Sequence, residues 1–296
     1  VKIDAVFAGG GVKAFAFLGS LGVLEKRGYE FERVAGTSAG SIVAALLKAG
    51  YTSSEMMDIL NDIHIESFKD ERLSYLPLTV IKWLQVYFKL GLYKGDALES
   101  WIRELLKAKG IVTFGDLPAQ SLRVVVSDLS KGQMVVLPDD LDKYGIRAES
   151  FSVAKAIRMS CSIPYFFEPV KLYDRSGHFS YIVDGGLLSN FPIWLFRDGE
   201  KNTWRRPVIG MQLTPKIDER PPHKIKNAID LYKAVFDTMT SAHDTRHIED
   251  EDARNVIFIP VTDIKATDFN LTTIEKQELI TLGESKTNKF LGRWTY

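Results

Sequence analysis

Apolar positions near the N-terminus fall into short runs broken by glycine. Ile3 to Ala8 is largely apolar and stops at Gly9-Gly10-Gly11, the pattern of a buried strand. Val12 to Lys26 carries helix formers and runs out at Gly28, a C-cap signal. Phe31 to Ala35 predicts a second strand, which runs into Gly36-Thr37-Ser38-Ala39-Gly40. Ser41 to Ala49 predicts a strongly apolar helix that stops at Gly50. The order is strand, glycine loop, helix, strand, serine loop, helix. That alternation predicts an α/β layer with parallel strands.

Further along, Thr52 with Glu55 and Asp96 with Glu99 read as capping boxes. They would open helices over residues 53–63 and 97–109. Leu122 to Ser127 and Gln133 to Leu137 read as strands joined by the turn Ser130-Lys131-Gly132. Phe151 to Cys161 reads as a helix. Val170 to Tyr173 and Tyr181 to Val183 read as strands, the second ending at Asp184-Gly185-Gly186. Val208 to Leu213 and Val256 to Ile259 are further strands, and amphipathic helices are predicted over 226–247 and 273–291.

Composition narrows the function classes. At 296 residues with no linker-like stretch or internal repeat, the chain reads as one domain over 1–296. Lys plus Arg and Asp plus Glu each number 38, so the chain has no basic excess for nucleic acid. Cys161 is the single cysteine, which excludes an internal disulfide and a cysteine zinc site. The N-terminus lacks a signal-peptide pattern, and no run reaches the roughly 20 apolar residues of a membrane span. A cytoplasmic protein, in peripheral contact with membrane, is the expectation.

Gly36-Thr37-Ser38-Ala39-Gly40 matches the G-x-S-x-G nucleophile elbow. A sharp strand-to-helix turn needs small neighbours, and here they are Gly36, Ala39 and Gly40. The bland reading is a tight turn with Thr37 or Ser38 as N-cap. Gly9-Gly10-Gly11-Val12-Lys13 also joins a strand to a helix. Its backbone N–H groups could bind a phosphate or stabilise an oxyanion. The dinucleotide fingerprint fails at Ala14, and no Gly-Lys-Ser/Thr follows for a P-loop. A base for Ser38 is harder to find. His64, His178, His223, His243 and His247 do not follow strands as a hydrolase histidine would, and His243 with His247 lacks the metalloprotease pattern. Asp184 closes an apolar strand before two glycines, although Asp-Gly is equally a hairpin turn.

Three segments together resemble the patatin-like phospholipases: Gly9 to Lys13, Gly36 to Gly40, and Asp184 to Gly186, in that order and rough spacing. Ala156-Ile157-Arg158-Met159-Ser160-Cys161-Ser162-Ile163-Pro164 and Leu187-Leu188-Ser189-Asn190-Phe191-Pro192 are similar to that family as well. The resemblance covers residues 3–215, with 216–296 as helical and strand completion. It implies a three-layer α/β/α fold around a mainly parallel sheet. It also implies hydrolysis of lipid acyl esters by a Ser-Asp dyad, with no metal, cofactor or histidine; the alternatives are a lysophospholipid or small-ester hydrolase on the same site, or a non-catalytic lipid-binding protein that keeps the fold. By position it makes Ser38 the nucleophile and Asp184 the base. Gly10, Gly11 and Ala39 would supply oxyanion N–H groups. Ala14 stands where the family usually has glycine, which is harmless if the residue is helical and awkward at positive φ.

A lipid or phospholipid substrate has to be met at an interface. Leu73 to Tyr93 mixes Tyr75, Trp83, Tyr87 and Phe88 with Lys82 and Lys89, a composition that suits an interfacial segment or a core-covering helix. Lys13 and Arg158 are candidate contacts for a lipid phosphate. Headgroup, chain length and any activating protein partner leave no mark in the sequence.

Overall fold

The computed structural model describes residues 1–62, 68, 88–198, 203–213, 253–261 and 271–295, with isolated positions between 225 and 264. Most of Leu73 to Tyr93 and of the helix expected over 226–247 lies outside the described residues, as do His64, His223, His243 and His247.

β1 (Lys2–Phe7) and β2 (Glu30–Thr37) pair in parallel, with Phe7 opposite Gly36. β1 also pairs in parallel with β9 (Val208–Gln212), which pairs in parallel with β10 (Val256–Phe258). On the other side β2 pairs in parallel with β4 (Leu122–Asp128). Antiparallel partners complete this half: β5 (Gln133–Leu137) on β4, β8 (Phe179–Asp184) on β4, and β7 (Val170–Tyr173) on β8. The main sheet therefore has eight strands, mostly parallel in its central part. Its central strands are buried on both faces, as helix-covered parallel strands must be.

β4 is shared by two strands along one edge. Its first half faces β2, from Val34↔Leu122 to Thr37↔Val125. Its second half faces β8, from Val126↔Asp184 to Asp128↔Ile182. Along a strand, alternate residues direct their backbone N–H and C=O to the same edge. Ser121 accepts from Val34 of β2, and Leu129 donates to Tyr181 of β8. Both are odd-numbered, so β2 and β8 lie on one edge of β4 and meet end to end, while β5 takes the other edge. The C-terminal ends of β2 and β8 thus converge opposite Val125 and Val126.

Helices flank the sheet. α1 (Phe15–Lys26) is buried almost all round and packs against α3 (Ser53–Asp62) and α6 (Thr273–Leu291). α2 (Ala39–Lys48) packs on β1, β2 and β4, and in turn against α4 (Asp96–Ala108) and α5 (Val153–Ser160). A small parallel pair, β3 (Gly91–Tyr93) with β6 (Tyr165–Phe167), lies beside them. The fold is the α/β arrangement expected from the sequence.

Two local expectations change. The Thr52–Glu55 capping box forms, with Thr52 N–H to Glu55 Oε2 at 2.7 Å and Glu55 N–H to Thr52 Oγ1 at 3.2 Å. The Asp96–Glu99 box does not, because Asp96 is already helical and the cap is Gly95 at φ 79°. The φ at Gly95 favours glycine, and the Arg158 guanidinium packs where a Cβ would sit. The helix expected from Val12 opens instead as a 3-10 turn, Gly11–Ala14, before α1 begins at Phe15.

Candidate active site

The glycine loop follows β1 and the serine loop follows the adjacent strand β2, so the two lie side by side at the C-terminal edge of the sheet. Such edges are where α/β sheets bind ligands. The loops touch: a Cβ on Gly9 would lie 3.3 Å from the Ser38 Cβ. The Gly9 N–H is held by the Asn190 carbonyl at 3.0 Å.

Ser38 stands between β2 and α2 at φ 52° and ψ −128°, a left-handed conformation that costs a non-glycine residue energy. Small neighbours make the turn possible. A Cβ on Gly36 would lie 2.4 Å from the Gly40 backbone, and one on Gly40 would lie 2.4 Å from the Phe7 carbonyl. The Ser38 carbonyl accepts from Ser41 N–H at 2.8 Å and from Ser41 Oγ at 2.6 Å. The Ser38 N–H donates to Ser160 Oγ at 2.8 Å. Ser38 is buried, with 7% of its surface exposed.

Asp184 ends β8 directly across the junction. Gly185 must follow it, since a Cβ there would lie 2.2 Å from the Val125 carbonyl. The Asp184 Oδ1 accepts from Gly186 N–H at 2.7 Å, and its own N–H donates to the Ser162 carbonyl at 2.9 Å. Burial pushes its carboxyl up to about 7, while the hydrogen-bonded Ser38 hydroxyl and the Gly186 N–H pull it back. The buried carboxylate therefore feels the serine side chain and has a proton affinity near neutral pH.

Gly10, Gly11 and Ala39 border the same place. Gly11 is at φ 56°, which favours glycine. Among the described residues no acceptor takes their backbone N–H groups; Gly11 and Ala39 are first residues of helical turns, where intrahelical acceptors are lacking. Ala14 is right-handed at φ −60°, so its side chain is accommodated without strain.

The two cations assigned to lipid phosphate are engaged elsewhere. Lys13 Nζ donates to the Val261 carbonyl at 2.9 Å. Arg158, 3% exposed, donates to Ser162 Oγ and to the carbonyls of Lys94 and Glu168, and lies over the Phe167 ring. Arg158 thus forms a buried tie between α5 and the β3–β6 pair. Among the described residues the histidine present is His178, exposed on the β7–β8 turn. It stands at the opposite end of β8 from Asp184, about 20 Å of strand away. Of the expected interfacial segment, Phe88 and Leu90 are described and exposed, and Gly91–Tyr93 forms β3.

Residue-by-residue reading missed Ser160, Cys161 and Ser162. Cys161 is buried against the site, and burial and the Asp184 carboxylate push its thiol above the usual range. In the sequence the segment stands out only as part of the family resemblance. Its contacts join α5 to both β2 and β8, and no local pattern encodes them.

The comparisons agree with this architecture. The model of the patatin-like phospholipase family matches residues 5–197. An uncharacterised Bacillus subtilis protein, YqhO, is 53% identical over 294 residues, spanning 99% of both chains. A cUMP-AMP-activated phospholipase of Escherichia coli is 26% identical over 197 residues, which is 62% of this chain and 54% of that one. Among solved structures, VipD of Legionella pneumophila superposes with a TM-score of 0.58 at 18% identity, covering 99% of this chain and 67% of that chain, a likeness of fold. A glycine loop, a strained serine turn and a buried aspartate on one sheet edge, with a family match across all three, show that the chain belongs to the patatin-like phospholipases.

Proposed function

We propose that the chain hydrolyses acyl ester bonds of lipids, with Ser38 as nucleophile and Asp184 as its base. The observation that carries this reading is a buried Asp184 carboxylate of raised proton affinity, influenced by the side chain of Ser38, a serine held at φ 52°. Packing of α6 along α1 supports treating residues 1–296 as one functional unit.

In the first half-reaction Ser38 Oγ attacks the ester carbonyl carbon and its proton passes to Asp184. The carbonyl oxygen becomes an oxyanion, facing the N–H groups of Gly10, Gly11 and Ala39. Loss of one such donor costs about 3 kcal/mol in hydrolases of other folds. Collapse of the tetrahedral adduct breaks the ester C–O bond. Asp184 returns its proton to the departing alkoxide, leaving the acyl group on Ser38. A water then gives a proton to Asp184 and attacks the acyl carbon. The second collapse releases the fatty acid, and the proton goes back to Ser38. Asp184 does without a histidine relay because burial raises its basicity toward neutral pH.

Lipid is the proposed substrate class, as the family membership supports. Among the described residues no helix is long and apolar enough to cross a membrane. The test is mass spectrometry of products from mixed-phospholipid vesicles. The wild-type chain should release free fatty acid and lysolipid, and should react with a fluorophosphonate probe. Ser38→Ala should do neither. A folded Ser38→Ala protein that still releases fatty acid overturns the reading.

A further inference from the structure

The nucleophile and the base sit at the ends of different strands, and the described contacts join those ends through one short segment at the end of α5. Ser160 is fully buried. Its Oγ accepts the Ser38 N–H at 2.8 Å and donates to the Val125 carbonyl at 2.7 Å. A serine hydroxyl has one proton to give, so its donor is used and an acceptor site is filled. Two residues on, the Ser162 carbonyl accepts the Asp184 N–H at 2.9 Å. Cys161, between them, is packed close enough to interact with Ser38, Ser41 and Asp184.

The place of these contacts explains why they are needed. β2 has ended at Thr37 and β8 has not passed Asp184, so the Val125 carbonyl lies where β4 runs out of one partner and meets the next. A backbone group left unpaired at such a buried point destabilises the fold. The Ser160 hydroxyl fills the gap, and in the same step fixes the backbone of a residue in a strained conformation. Strain of that kind persists only where the surroundings over-determine it.

We propose that Ser160-Cys161-Ser162 is the brace that sets the spacing of the dyad, with Ser160 as the positioning residue for Ser38. This rests on the Ser38–Asp184 reading above. The hydroxyl of Ser160 does not touch substrate; it acts on rate by holding Ser38 Oγ in line with Asp184. Its loss therefore lowers turnover and leaves binding of a small ester alone.

The experiment uses the whole chain and compares wild type, Ser38→Ala, Ser160→Ala, Ser160→Cys and Gly283→Ala. The fluorophosphonate labelling rate, kcat and KM on a soluble acyl ester, and thermal stability are measured for each. Ser160→Ala is expected to lose about tenfold or more in both labelling rate and kcat, with KM within about twofold. Ser160→Cys keeps the shape with a weaker donor and acceptor, and is expected to lose at least about threefold in kcat, though less than alanine; it carries the test where alanine fails to fold. Gly283→Ala weakens a helix contact away from the dyad, and is expected to lose stability while labelling at the wild-type rate below its melting range. A folded Ser160→Ala or Ser160→Cys protein with kcat within twofold of wild type overturns the brace. So does a Gly283→Ala protein whose labelling falls as far as that of Ser160→Ala at equal stability loss. If Ser38→Ala still labels, the Ser–Asp reading itself fails; if Ser38→Ala is silent while both Ser160 variants label normally, only the brace fails.

Discussion

At the scale of single residues, the cost of the site falls on Ser38. An L-residue at φ 52° and ψ −128° gives up about 1–3 kcal/mol relative to relaxed backbone. Glycine adopts that conformation freely but loses more entropy on folding. Ser38→Gly is therefore expected to raise unfolding free energy by roughly 0.5–1 kcal/mol while removing all probe labelling. Ser38→Ala, which keeps the Cβ, should lose labelling without that gain. Urea denaturation of the three proteins decides it, and a glycine variant less stable than the alanine one would remove strain from the account. Ser38 was legible because an elbow demands small neighbours, and Gly36, Ala39 and Gly40 supply them in sequence. Asp184 was less so. Its Asp-Gly-Gly reads equally as a turn, and only pairing of Asp184 opposite Val126 distinguishes the two.

At the scale of elements, close approach governs what the sequence could and could not convey. The boundaries of α6 were legible, since Thr272 and Glu275 form a full capping box and the periodic stretch over 273–291 follows. The partner of α6 was not. A glycine inside a helix costs about 1 kcal/mol against alanine, so Gly19 and Gly283 look like defects until the crossing is seen. A Cβ on Gly19 would lie 1.9 Å from the Ile280 carbonyl, and one on Gly283 would lie 1.9 Å from the Ala16 carbonyl. The clashes are with backbone, so the helices have to separate. Gly19→Ala and Gly283→Ala are each expected to destabilise the protein by about 2–4 kcal/mol, against the propensity gain of the alanine. A thermal melt that rises in either variant would show that the helices are not in contact there. The junction of β2 and β8 on β4 was hidden for a similar reason. Strands at 30–37, 122–128 and 179–184 were each visible locally, but which ends meet is a matter of long-range register. Gly95 belongs here too. A left-handed cap pressed by Arg158 carries no signal that Asp96 and Glu99 would not obscure.

At the scale of the whole molecule, the core that positions Asp184 also sets its proton affinity. Burial raises the carboxyl from 3.8 to about 7, so the folded chain holds a proton that the unfolded chain releases near pH 4. Below pH 4 both states are protonated and the group contributes its full share. From pH 4 to 7 only the folded state is protonated, so stability falls by about 1.4 kcal/mol for each unit of pH. Above pH 7 both are ionised and the loss levels off, at up to about 4 kcal/mol for three units. Asp184→Asn cannot titrate, and its side-chain oxygen can still accept from Gly186 N–H. The stability of the Asn variant minus that of wild type is therefore expected to climb between pH 4 and 7 and then hold. Over the same range kcat/KM of wild type should rise with pH to half its maximum near 7, since the base acts only when ionised, and the Asn variant should be inactive throughout. Denaturation and initial rates at pH 5, 6, 7 and 8 test both together. A level stability gap, with wild-type rates flat from pH 5 to 8, would mean that the folded carboxylate is as acidic as a solvated one. Asp184 would then be too weak a base for Ser38, and the proton would have to leave by another group.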